Sequence, residues 1–191
     1  MDTTFDEKTS LKVIYETIEN AKNNIRDNGF FYLLWGWLVL IASLLHYILF
    51  NFTEFGYFYI GWPVLMTIGM IASIIYGIRL GKTNTVTTYM DTMLIYLWWS
   101  FTATILLLLT MTFTGFITFE IMNPLIVILF SMCTFVSGGI MRFRPLIIGG
   151  LAGWILGAAE FFIDRDSQLL LTSLAIIVAY LIPGYMLKNR K

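Results

Sequence analysis

Two ionisable side chains lie inside apolar stretches of this sequence and could do chemistry there. His46 comes four residues before the end of the apolar run 30–50, and Glu160 comes three residues before the end of the run 145–163. At 1.5 Å per helical residue, both lie about 5–6 Å from the same edge of the apolar layer. An ionisable group in a membrane span usually faces a partner or a cavity, so one predicted arrangement is a His46–Glu160 hydrogen bond. In the alternative, each side chain reaches separately to the lipid headgroups.

Signatures of catalysis and of cofactor binding are missing from the sequence. It contains no G-x-S-x-G turn, Walker loop, G-x-G-x-x-G or H-E-x-x-H motif, and a single histidine cannot make a bis-histidine haem site. The one cysteine, Cys133, has no cysteine partner, and no Cys/His cluster could hold zinc. We therefore predict a non-enzymatic protein with no catalytic residues, no cofactor and no metal site.

The composition and the lengths of the apolar runs indicate a membrane protein. Of the 191 residues, 58% are hydrophobic and 13% are charged, whereas soluble domains carry about 25% charged residues. A helix needs about 20 apolar residues to cross the hydrocarbon layer. Six runs have about that length, and Glu160 is the only Asp, Glu, Lys or Arg within them: residues 30–50, 57–78, 92–113, 121–140, 145–163 and 169–187. The predicted fold is all-α, a polytopic membrane protein whose residues 30–191 form a bundle of six transmembrane helices.

The distribution of basic residues predicts the orientation of this bundle. With the N-terminus inside, eleven of the twelve Lys and Arg residues lie in inner segments, and only Arg165 lies outside. The predicted location is the plasma membrane, or the inner membrane of a bacterium, in a multi-pass arrangement with both termini cytoplasmic. The formal net charge of zero argues against a nucleic acid as partner.

Small residues recur along the fifth run. Gly149, Gly153 and Gly157 are four residues apart and therefore line one helix face, which Glu160 extends. In lipid, such a row lets two helices approach until their backbones touch. We therefore predict that residues 145–163 form the central packing helix, with Glu160 pointing inward. Pro183, near the end of the sixth run, predicts a kink in the last turns.

Residues 1–29 form a polar segment ahead of the first run. Asn28-Gly29 predicts the end of a helix there. The segment is predicted to be a cytoplasmic amphipathic helix, which either packs on the bundle and the membrane interface or offers residues 10–27 to a cytoplasmic protein partner. The prediction rests on apolar residues with the 3-4-3-4 spacing of one helix face: Leu11, Ile14, Ile18, Ala21 and Ile25.

The predicted inner loop Met141-Arg142-Phe143-Arg144 places two bases around an aromatic ring. Arg142 and Arg144 suit anionic lipid headgroups, and the lipid bilayer is the first predicted partner. In the alternative, both bases only fix the topology. A second copy of the chain, in a homo-oligomer, is a further candidate partner.

Similar sequences close alternate runs. Gly77-Ile78-Arg79 ends the second run, and Gly139-Ile140-Met141-Arg142 ends the fourth. These closures predict three helical-hairpin repeats that enter and leave on the inner side; the alternative is that glycines and bases are simply common at span ends. With these closures, the chain resembles small six-span bacterial membrane proteins, among them the acid-resistance membrane protein family. The resemblance implies a six-span bundle and a role in acid stress.

Two functions of different classes fit these patterns. The first is a non-enzymatic membrane platform for sensing, stress response or partner binding, which is favoured because the spans contain few polar groups. The alternative is a small transporter or channel with an outward-facing site near His46 and Glu160. A water-filled cavity at Glu160 would favour transport, and a packed interior would favour the platform.

Overall fold

The computed structural model describes residues 7–53, 56–83 and 89–189, with side chains from residue 29 onward except at residues 82 and 83. This part of the chain is all-helical and contains no β-strand. In chain order the elements are α1 (Glu7–Phe52), α2 (Gly61–Thr83), α3 (Tyr89–Phe113), α4 (Phe119–Ile140), α5 (Arg144–Ala159), a 3₁₀ turn (Glu160–Phe162), α6 (Arg165–Ile176), a π-helical turn (Ile177–Leu181) and α7 (Ile182–Lys188).

Within the described ranges there are six helical stretches long and apolar enough to cross a membrane, as the sequence predicts. They differ from the predicted runs mainly at their ends. The sixth stretch, here called the last span, begins at Arg165 rather than at residue 169 and includes α6, the π-helical turn and α7. The earlier start places Gln168 inside the span, where the sequence predicted a loop.

The first helix is longer than predicted. α1 is a continuous helix of 46 residues that runs through Asn28 and Gly29, so the predicted helix end at these residues is wrong. Gly29 is buried, and a Cβ atom there would lie only 3.0 Å from the backbone nitrogen of Lys188. The glycine therefore permits close packing of α1 against α7 and does not terminate a helix.

The last span occupies the centre of the bundle, a place that the sequence assigned to the fifth run. In its most apolar window 56% of the residues are buried, compared with 33% for the fifth span and 6% for the α2 and α3 spans. The last span packs against α1 on one side and against α5 on the other. In the described residues, the backbone of α2 contacts only α1, and that of α3 contacts only α4.

A π-helical turn interrupts the last span directly before Pro183. Proline lacks the N–H that would bond the carbonyl four residues earlier, so a wider turn accommodates the break in the hydrogen-bond ladder. The turn buries Ala179 and Tyr180 against α5 and α1. The irregular helix that the sequence predicts near Pro183 is therefore found in the π-helical turn, which fills the middle of the bundle.

Candidate functional site

Glu160 is completely buried in the 3₁₀ turn that ends the fifth span. The hydroxyl of Thr172, on α6, donates to its Oε1 at 2.8 Å, and the Nδ2 of Asn123, on α4, donates to its Oε2 at 3.0 Å. Asn123 Nδ2 also lies 2.9 Å from Thr172 Oγ1. Side chains from α4 and α6 thus meet at the carboxyl group of Glu160 in the 3₁₀ turn.

Gln168 extends this cluster through a backbone carbonyl that a proline has left without a helical partner. Pro124 has no N–H to donate to the carbonyl of Glu120, four residues earlier in α4. The Nε2 of Gln168 donates to that carbonyl at 3.2 Å and to the carbonyl of Glu160 at 3.0 Å. The polar cluster, defined here as Glu160, Asn123, Thr172 and Gln168, therefore links α4, the 3₁₀ turn and α6.

The hydrogen-bond partners of the Glu160 carboxyl are all neutral. Among the described residues, no Lys, Arg or His forms an ion pair with it. An unpaired buried charge is costly in a medium of low dielectric constant. The cluster therefore supplies hydrogen bonds to the carboxyl group but no compensating positive charge.

A cavity of about 300 Å³ adjoins the cluster at the end of the bundle where the last span begins, here called the distal end. Gln168 belongs to the wall of this cavity as well as to the polar cluster. The wall of the cavity combines acidic, basic and apolar side chains. Its lining consists of Glu120, Ile121, Phe161, Ile163, Asp164, Arg165 and Gln168.

His46 has a separate set of neighbours at the same end of the bundle. Its Nδ1 accepts a hydrogen bond from Trp62 Nε1 at 3.1 Å, and its ring stacks on Phe58 with 5.3 Å between ring centroids. The guanidinium of Arg165 lies over Phe50 and Phe58, at 5.3 and 5.8 Å from the ring centroids. The hydrogen bonds of His46 and Glu160 go to different partners, so the structure does not form the pair that their matched depths suggested.

The three predicted packing glycines lie against two neighbouring segments. A Cβ atom at Gly149 would come within 3.0 Å of Ala179 Cα in the π-helical turn, and one at Gly157 within 3.0 Å of side chains of α4. At Gly153 it would collide with the Ser131 side chain. Close approach to backbone atoms also involves a glycine outside the predicted row, since a Cβ at Gly150 would lie 2.7–2.8 Å from backbone and Cβ atoms of Phe135.

The turn between α4 and α5 exposes both predicted headgroup-binding bases. Met141 and Phe143 are buried, while Arg142 and Arg144 point outward. Phe143 N donates to Gly138 O, and Arg142 N donates to Gly139 O, the two bonds of a helix-ending motif that favours glycine at the left-handed position. Arg142 occupies that position with φ 49°. The turn therefore presents two cations despite strained backbone, and lipid contact remains a prediction.

Comparisons of the chain with protein-family models, with curated proteins and with solved structures found no match. The resemblance based on Gly77-Ile78-Arg79 and Gly139-Ile140-Met141-Arg142 therefore stays a prediction. The case for a function rests on the helices, the polar cluster and the cavity.

Proposed function

We propose that the chain is a six-span integral membrane protein that acts as a non-enzymatic platform, with both termini in the cytoplasm. The observation that carries this proposal is the continuity of α1 over 46 residues. At 1.5 Å per residue, about 33 Å of helix precedes Gly29, the first residue of the first span. A partner bound to residues 10–27 would therefore hold a rigid continuation of the helix that packs against the last span.

The exposed surfaces of α2 and α3 support insertion in a bilayer. Large aliphatic side chains are about half exposed along both helices, including Ile71, Ile74, Leu106 and Leu107. A soluble protein seldom leaves so large a continuous apolar surface in water, whereas lipid tails cover it without cost. The orientation rests on the eleven inner bases. The three-hairpin repeat and a homo-oligomer remain predictions beside this proposal.

The packed interior favours the platform over the transporter or channel. Buried Ser131 and Thr134 hydroxyls donate to carbonyls of their own helix, and the Trp154 indole donates to the Ile128 carbonyl. Glycines bring α5 into contact with α4 and the π-helical turn. These two hydroxyls and the indole are thus used in bonds to nearby backbone carbonyls.

The transporter or channel remains a second candidate because of one observation. The distal cavity shares Gln168 with the polar cluster, so a solute in the cavity would contact a side chain that is hydrogen-bonded to Glu160. Solute uptake by proteoliposomes that is lost in Glu160→Gln would favour this candidate over the platform.

The proposed orientation predicts that Thr53 and Ser167 face the outside of the cell. Both residues are exposed in the structure, and the native Cys133 is buried, so a cysteine introduced at either position is the group expected to react. Thr53→Cys and Ser167→Cys should be labelled in intact cells by a membrane-impermeant maleimide, while the unmodified chain stays unlabelled. Labelling only after permeabilisation would show that the orientation is reversed.

The platform proposal also predicts that residues 1–27 are separable from the bundle. Deleting them should leave the protein inserted, with a melting temperature within about 2 °C of the full chain, because the contacts of Gly29 and all later residues remain. Deleting residues 1–36 should be far more damaging, since it removes Tyr32, Leu33 and Gly36 from the contact with the last span. The measurement is thermal unfolding in detergent together with recovery from the membrane fraction.

A photo-crosslinking amino acid tests the docking role of the same segment. Placed at Lys22 in cells, it should form a discrete adduct with a cytoplasmic protein, whereas the same group at exposed Ile78 should not. Rapid degradation of the chain lacking residues 1–27, or the absence of protein adducts at every position from 10 to 27, would refute the platform.

A further inference from the structure

The Glu160 carboxyl is a buried acid to which the described residues provide two hydrogen-bonding side chains, Asn123 and Thr172, and no cation. We propose that Glu160, Thr172 and Asn123 form a binding site for an alkali-metal cation, which enters from the distal cavity past Gln168. This inference goes beyond the platform, because a bound cation can hold α4, the 3₁₀ turn and α6 together whether or not it crosses the membrane.

The donor atoms of the site are oxygens, which hard cations prefer. The two carboxylate oxygens lie 2.8 Å from Thr172 Oγ1 and 3.0 Å from Asn123 Nδ2. A threonine O–H rotates freely, and the amide of asparagine carries its oxygen on the same carbon as its nitrogen. A half-turn of the Asn123 amide therefore replaces its N–H donor by its carbonyl oxygen without backbone movement. A cation could then be surrounded by the two carboxylate oxygens of Glu160 and the neutral side-chain oxygens of Thr172 and Asn123.

The backbone around the cluster offers further oxygen atoms. Pro124 frees the carbonyl of Glu120 from helical bonding, and Gln168 Nε2 now bonds this carbonyl together with that of Glu160. Gln168 thus covers two carbonyl oxygens that a cation could use in its place. A protonated carboxyl group would need only one hydrogen-bond acceptor for its O–H. The oxygens that α4, the 3₁₀ turn and α6 bring together are instead the kind of set that coordinates a metal ion.

The balance of charges selects a monovalent ion. One carboxylate and one alkali cation leave the cluster neutral, while a divalent ion would leave a buried net positive charge. Of the segments packed on the 3₁₀ turn, α4 brings the exposed Glu120 and α6 brings Arg165 and Asp166, all at the distal rim. The charged residue of α5 is Arg144, about 24 Å away at the other end of the helix.

The cavity gives the cation a way in. Glu120 and Asp164 line it beside Gln168, and acidic groups at the mouth of a cleft raise the local concentration of cations. The guanidinium of Arg165, which also lines the cavity, lies over the rings of Phe50 and Phe58. An ion in the cavity therefore meets two carboxylates and an amide before it reaches Glu160.

The test is the thermal stability of the purified full chain in detergent at constant pH and ionic strength. Sodium or potassium chloride replaces N-methyl-D-glucamine chloride stepwise. A specific site should raise the melting temperature saturably, by about 5–10 °C at one hundred times the dissociation constant. Glu160→Gln should abolish the rise, while Glu19→Gln, the same loss of charge in the N-terminal segment, should retain it.

A measurement of sodium binding tests the proposal even if the Glu160→Gln variant does not fold. Equilibrium binding of radioactive sodium to the unmodified chain should reach one ion per chain and should be weakened at least tenfold in Thr172→Val. The proposal is overturned if neither sodium nor potassium stabilises the unmodified chain, or if Glu160→Gln keeps the full rise. It is also overturned if lowering the pH without alkali metal produces the whole rise, since a proton then neutralises the carboxylate.

Discussion

Gly150→Leu is expected to destabilise the bundle by about 3 kcal/mol or more, at or beyond the upper end for overpacked cores. A Cβ at Gly150 would lie 2.7 Å from both the backbone nitrogen and the Cβ of Phe135. Backbone atoms cannot rotate away as a side chain can, so α4 and α5 must separate. In a chain of this size the change corresponds to a melting temperature lower by about 6–12 °C.

Two other glycines calibrate this measurement. Gly153 faces the side chain of Ser131, which can change rotamer, so Gly153→Leu should cost less than Gly150→Leu. Gly139 is exposed on α4, and a Cβ atom there would meet no neighbouring segment of the described chain within 4 Å. Gly139→Leu should therefore be neutral or slightly stabilising through helix propensity. Equal melting temperatures for Gly150→Leu and Gly139→Leu would show that α4 and α5 are not in close contact.

Thr172→Val is expected to cost about 1.5–3 kcal/mol, the range for a lost hydrogen bond to a charged group. Valine has nearly the shape of threonine but cannot donate to Glu160 Oε1, which would be left buried without that bond. The matched control is Thr102→Val, because Thr102 is exposed and its hydroxyl bonds only the carbonyl of Trp98 in its own helix. That change should stay within about 0.5 kcal/mol.

A double mutant distinguishes a stranded carboxyl from general loss of packing. Replacing Glu160 by Leu removes the group that needs Thr172, so Thr172→Val should cost little in a Glu160→Leu background. Full additivity of the two changes would mean that the hydrogen bond contributes nothing to stability. Urea or thermal unfolding in one detergent, followed for the four variants, measures the coupling.

The helices of this fold could be predicted from sequence because long apolar runs leave the backbone no partner in lipid except itself. Their arrangement could not. A spacing of four residues identifies Gly149, Gly153 and Gly157 as one face but cannot name the segment opposite it, and it misses Gly150 on the adjoining side. Nor does the sequence show which side of α3 faces the bundle: Trp99 is 69% exposed, because α3 packs through the side that carries Leu94 and Trp98.

The polar cluster escaped prediction for a chemical reason. Asn123, Gln168 and Thr172 are neutral, and a threonine in a span normally bonds its own helix, as Thr110 does with the carbonyl of Leu106. Only Glu160 stands out by charge. A usable signal was present in the Asn123-Pro124 pair, since a proline one turn into a helix frees a carbonyl that some other polar group must satisfy.

The central position of the last span has a consequence for biogenesis. In the described residues, the backbones of α1 and α2 make no contact with those of α3, α4 and α5; the last span joins the two sets. In the proposed membrane insertion, and while residues 165–188 are still being synthesised, these two groups of helices meet through side chains such as Tyr32 and Trp98 but share no backbone contact. The packing of the centre is therefore completed by a segment made more than a hundred residues after its partner α1.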